Sequence, residues 1–142
     1  MTQYGKKLRL LRILSVHQSL EIPSNEKEVD TVLLMAASKL IKEVMAVGVD
    51  DVLPKQRVQT GQAADAVKLV AEKGIYAFAG LDRIAKLLEQ HKAYVTRLVY
   101  LKLGPDHQHS SGTEIEELQS DFTSRLRRLD HAAKAIDSCV TR

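Results

Sequence analysis

The stretch Gly74–Gly104, GIYAFAGLDRIAKLLEQHKAYVTRLVYLKLG, decides the fold. Phe78, Leu81, Ala85 and Leu88 recur three or four residues apart, which is the spacing of one helix face. A second stripe, Ala77, Gly80, Ile84, Leu87, His91, Tyr94, Leu98 and Leu101, is offset by one residue. The two therefore stand about 100° apart and leave only a narrow polar strip through Asp82, Lys86, Glu89, Ala93, Thr96 and Arg97. A helix so widely apolar is either the central member of a bundle, or packs one stripe internally and offers the other to a partner. The second alternative predicts a partner interface at Ile84, Leu87, His91, Tyr94 and Leu98. A histidine on such a stripe is expected to be a core or interface residue with one ring nitrogen hydrogen-bonded.

Upstream, the same spacing continues through Ala64, Val67 and Ala71. The expectation is one long central helix over 64–103, continuous or bent at Gly74, where an interior glycine costs about 1 kcal/mol against alanine. The segment GVDDVLPKQRVQTGQ before it holds Pro54 and Gly61, has no sustained period and reads as a long connection. A first helix is predicted from Gln3 to Leu20, broken at Pro23, with Leu8, Leu11 and Leu14 on its apolar side. The second opens at Ser24 or Asn25, where NEKE supplies an Asn cap with Glu28 three residues on. It runs to about Val47 and stops at Gly48.

Downstream, LGPDHQHSSGT is a loop, and TEIE is a capping box with Thr113 as cap and Glu116 at the third position. From there Ile115, Leu118, Phe122, Leu126, Leu129, Ala133, Ile136 and Val140 form the cleanest amphipathic helix in the chain. The whole of 1–142 thus reads as a single domain, an all-α bundle of four or five helices around one long central helix. Its 142 residues are enough for one core, and an aromatic fraction of only 4% leaves aliphatic side chains to fill it.

Composition narrows the function classes. A lone cysteine, Cys139, excludes an intrachain disulfide and a multi-thiolate zinc site, and suits a cytoplasmic protein. No apolar run approaches the roughly 18 residues of a membrane span. The basic start, acid-free until Glu21, superficially resembles a presequence but reads as structure. No phosphate loop, nucleophile elbow, paired His-Glu zinc motif or EF-hand is present. An enzyme is disfavoured, and no cofactor or metal is called for. Asp106, His107 and His109 are the densest metal-capable group, yet nothing elsewhere completes a coordination shell.

Net charge is +3, unevenly placed: +3 over 1–22, −3 over 23–53, +5 over 54–103 and −2 over 104–142. Blocks of alternating sign suit neighbouring helices that attract one another, or a basic surface for an acidic partner. The leading expectation is a non-enzymatic assembly or regulatory subunit that forms a homo-oligomer or binds a protein partner. The alternative is a nucleic-acid-binding module that uses Lys6, Lys7, Arg9, Arg12, Arg127 and Arg128 on phosphates. The few aromatics argue against single-strand stacking.

Arg125, five intervening residues and His131 resemble the R-x(4–6)-H signature of the HEPN ribonucleases, small helical bundles whose dimers place two such pairs at an RNA phosphate. The resemblance covers seven residues and implies Arg125 as phosphate binder and His131 as acid or base. Leu126 stands where that family usually has a polar residue.

Overall fold

A computed structural model describes residues 2–73, 76, 80–103 and 112–141. Five helices follow one another: α1 Gln3–Leu14, α2 Glu26–Met45, α3 Pro54–Lys73, α4 Leu81–Leu103 and α5 Gly112–Val140, with a 3-10 turn at Val49–Asp51. No strand occurs among the described residues, so the all-α bundle is what the chain forms. No helix among them is long and apolar enough to cross a membrane. The expected bend at Gly74, the core face of Phe78 and the Asp106–His109 group lie outside the described residues.

Each start has a local cause. Thr2 caps α1 by accepting from the Gly5 amide at 3.0 Å, and Asn25 caps α2 by accepting from the Glu28 amide at 2.9 Å. Helix α3 begins ten residues before the expected Ala64, which corrects the reading of Pro54–Gln62 as a connection. Proline lacks only an amide that a first turn would leave unbonded, and the Gln56 side chain accepts from the Leu53 amide at 2.8 Å. Helix α1 is shorter than expected: a turn of successive amides onto Leu11, Ile13 and Leu14 carbonyls ends it at Leu14, well before Pro23. The last helix starts at Gly112, one residue before the expected cap, and Glu114 in its first turn pairs with Arg97 of α4 at 2.7 Å.

The stretch 64–103 is helical on both sides of a chain reversal. Arg57 Nε donates to Thr96 Oγ1 at 3.0 Å, and Lys92 lies over Gly61, so α3 and α4 run antiparallel rather than collinear. A Cβ on Gly61 would come within 3.2 Å of Lys92 Cε, the flexible end of that side chain, which would have to shift by a few tenths of an ångström. Gly80, at φ +80°, begins α4, and its carbonyl accepts from the Arg83 and Ile84 amides.

Helix α2 packs against α1, α3 and α5, and α4 packs against α3 and α5. The main core joins Leu11, Leu33, Leu34, Val67, Leu81, Leu88, Leu129 and Ile136. A smaller one, Val52, Tyr94, Val95 and Leu98, sits at the far end of α4 under Leu118 and Phe122 of α5. Between α1 and α2, Lys7 is 1% exposed and pairs with Asp30 at 2.9 Å and Glu26 at 3.0 Å. Burial opposes its charge, but the hydrogen bonds and charges of the two carboxylates hold the ammonium above its usual range. Burial pushes the Asp30 carboxyl up, with Lys7 opposing.

Candidate functional site

The second stripe of α4 is covered by the chain's own last helix. Ile84, His91, Tyr94 and Leu98 are buried, and only Leu87 stays half-exposed. The Tyr94 hydroxyl donates to the Leu118 carbonyl at 2.7 Å, and the Arg125 guanidinium lies 4.5 Å above the Tyr94 ring. This is the other alternative that the sequence left open, a central helix touched on two sides. The five-residue interface is therefore corrected to an internal seam, because α5 brings Leu118, Phe122 and Leu126 to meet it.

His91 lies in that seam at 2% exposure, stacked on Tyr94 with ring centroids 5.5 Å apart. Its Nδ1 has no hydrogen-bond partner. Burial, helped by the nearby Arg125 charge, pushes its pKa down to about 4, so the ring is neutral near pH 7. Burial raises the Tyr94 phenol.

The basic residues separate into two groups. Lys6, Arg9 and Arg12 are exposed on α1, but Lys6 and Arg9 share their groove against α3 with Asp65 and Glu72. Lys7 is removed from the set, because its ammonium is consumed by Asp30 and Glu26. Arg127 and Arg128 are exposed on α5, a helix packed on α2 and α4 rather than on the α1–α3 side.

The Arg125 and His131 side chains leave an uninterrupted helix in different directions, as six residues of helical rotation require. Arg125 lies on Tyr94, whereas His131 lines an open cleft of about 370 Å³ between the start of α4 and the second half of α5. The arrangement does not bring the two together as a phosphate-binding pair.

That cleft is the site with the clearest chemical character. Ile84, Leu87, Ala132 and Ala135 line it with apolar surface, and Arg83, Arg128 and His131 line it with polar groups. No acidic residue lines it, and neither arginine has a carboxylate within 4.0 Å among the described residues. Leu87 and Ile84 come from the predicted interface and Arg128 from the predicted basic set, while Arg83 and His131 belong to neither.

The flank of α5 that enters this cleft continues toward the N-terminus, so that Glu117, Asp121, Ser124, Arg128, His131 and Ala135 are all exposed along it. Their spacing of four, three, four, three and four residues keeps them on one face. The stripe is acidic before Ser124 and basic after it. This change of sign is legible in the sequence, but only once the apolar stripe has fixed which flank is free. No group of three or more metal-capable side chains comes together among the described residues. Comparison of the chain with protein-family models, curated proteins and solved structures found no match.

Proposed function

We propose that this protein is a non-enzymatic assembly or regulatory subunit that associates with a second copy of itself through the α4–α5 cleft. The observation that carries the reading is the bipolar stripe of α5. Two such helices laid antiparallel about Ser124 set Glu117 opposite His131 of the second copy and Asp121 opposite Arg128 of the second copy. A two-fold axis repeats both pairings, so one surface is complementary to itself. Glu117 to Ala135 spans about 28 Å of helix, and the half-exposed Leu87 supplies an apolar edge beside it. The contact is mainly polar, so its association is salt-sensitive.

Charge reversal with light scattering tests this reading. Asp121→Arg alone sets arginine against Arg128 of the second copy, and Arg128→Asp alone sets two aspartates together, so each variant is expected to be monomeric. An equimolar mixture of the two, and the double variant, are expected to associate again. Both positions are exposed, but Asp121 also pairs with Arg125 at 3.6 Å, so thermal melts of each variant must match the wild type for loss of association to count. A monomeric wild type at about 0.1 M salt, where charges still act over about 10 Å, refutes the reading. So do single variants that associate like the wild type. Duplex DNA bound at low salt by a monomer would transfer the cleft to the nucleic-acid alternative.

A further inference from the structure

A second cavity, separate from the α4–α5 cleft, lies where the end of α1 meets the second half of α2 and the first half of α3. It holds about 540 Å³, within the range of small-molecule sites. Leu14, Leu40 and Val58 give it an apolar side, and Gln18, Glu43 and Lys55 bring polar groups to it. Gln18 sits in the turn that ends α1. Its backbone amide donates to the Leu14 carbonyl at 3.1 Å and its own carbonyl accepts from Leu20 at 2.8 Å, so the backbone is fixed on both sides. The residue is 6% exposed, and its side-chain Nε2 has no hydrogen-bond partner. A buried amide nitrogen left without an acceptor is costly and uncommon.

The charges of the cavity are of both signs and are not spent on each other. Glu43 and Lys55 are more than 4.0 Å apart, and Lys55 pairs with no carboxylate among the described residues. Gln59 Nε2 donates to Glu43 Oε2 at 3.0 Å, which leaves Oε1 for another donor. We infer that this cavity binds a small zwitterion of the amino-acid type with an apolar side chain. Its carboxylate would meet the exposed Lys55 and, once the Gln18 side chain turns its buried Nε2 toward the cavity, that amide as well; its ammonium would meet the exposed Glu43, and its side chain Leu14, Leu40 and Val58.

Three probes of one shape test the assignment: L-phenylalanine, 3-phenylpropionate, which lacks the ammonium, and phenethylamine, which lacks the carboxylate. Binding is followed through the side-chain ¹⁵N–¹H resonances of Gln18 and by calorimetry on the full chain. Phenylalanine is expected to bind at least about tenfold more tightly than either analogue, in line with a charged hydrogen bond. Lys55→Gln should weaken phenylalanine and 3-phenylpropionate but leave phenethylamine unchanged. Glu43→Gln should weaken phenylalanine and phenethylamine but leave 3-phenylpropionate unchanged. Gln18→Leu should weaken both carboxylate probes without lowering the melting temperature, since its amide nitrogen has no partner to lose. No saturable response of Gln18 with a Kd below about 1 mM for phenylalanine overturns the assignment. Equal affinity for the three probes, unaffected by the charge variants, overturns it as well.

Discussion

Acidification should unload stability through His91 in a window set by its burial. The folded pKa is about 4, against about 6.5 for an exposed imidazole, so between these values the unfolded chain binds a proton that the folded chain refuses. Stability from this residue is therefore complete above about pH 6.5 and is lost as pH falls toward 4. Between pH 7.5 and 4.5 the linkage amounts to about 2.5 kcal/mol, a large share of the roughly 5–15 kcal/mol that holds a domain together. Urea unfolding reads it directly, as a midpoint shift of roughly 1–2 M for an ordinary m-value. Carboxylates titrate nearby in pH, so the decisive quantity is the difference between the wild type and His91→Leu. The variant fills the seam between α4 and α5 without a titrating group, and at pH 7.5 it should be at least as stable, because Nδ1 loses no partner. The wild type should lose about 2.5 kcal/mol more than the variant on going to pH 4.5. Parallel pH profiles would refute the reasoning and mean that the ring reaches water or an acceptor.

Four further outcomes follow from named contacts. Lys7→Met strands Asp30 in the interior and should cost about 3–5 kcal/mol in urea unfolding, whereas Lys7→Met with Asp30→Leu should recover most of the loss. Gly61→Ala trades a helix-weakening glycine against displacement of the flexible end of Lys92. It should stabilise by up to about 1 kcal/mol in thermal melts. Gly80→Ala has open space but a left-handed backbone, so it should destabilise by about 1 kcal/mol and loosen the start of α4, read by amide exchange at Arg83 and Ile84. Asp137 accepts from Ser38 at 2.6 Å and from Lys42 at 2.9 Å, which hold its carboxyl below the usual range. Its contribution is present above about pH 4 and is lost as pH falls through its folded pKa, so Asp137→Asn should flatten the acid limb of the stability profile.

The helical class is legible because the period of apolar residues survives every local exception. Boundaries are legible where a side chain writes them, as Asn25 does through its bond to the Glu28 amide. They are lost where a residue type has two meanings. Pro54 ends helices in general but opens α3 here, and the signal that distinguishes the two is Gln56, three residues past Leu53 and able to reach back to its amide. Gly61 reads as a break because nothing in one segment reveals that Lys92, 31 positions away, will lie across it. A continuing heptad suggests that α3 and α4 are collinear, yet a heptad constrains the face and not the direction of the next helix.

The partly different fate of the candidate site has a related cause. A stripe such as Ile84, Leu87, His91, Tyr94 and Leu98 specifies that something apolar covers it, and both a neighbour in the chain and a separate molecule satisfy that condition. The chain supplies its own cover in α5, whose stripe through Leu118, Phe122 and Leu126 is equally apolar. Each stripe taken alone leaves its partner undetermined, whereas the two taken together satisfy one another. Once they are joined, the surface that remains is defined by what joining leaves over: the flank of α5 from Glu117 to Ala135 and the start of α4. On that flank charge and not hydrophobicity varies along the axis, and a sign change at Ser124 gives the helix a direction that an antiparallel copy can match. Apolar periodicity thus selects the seam within the chain, and polar periodicity on the exposed flank is the feature on which the proposed pairing of two copies rests.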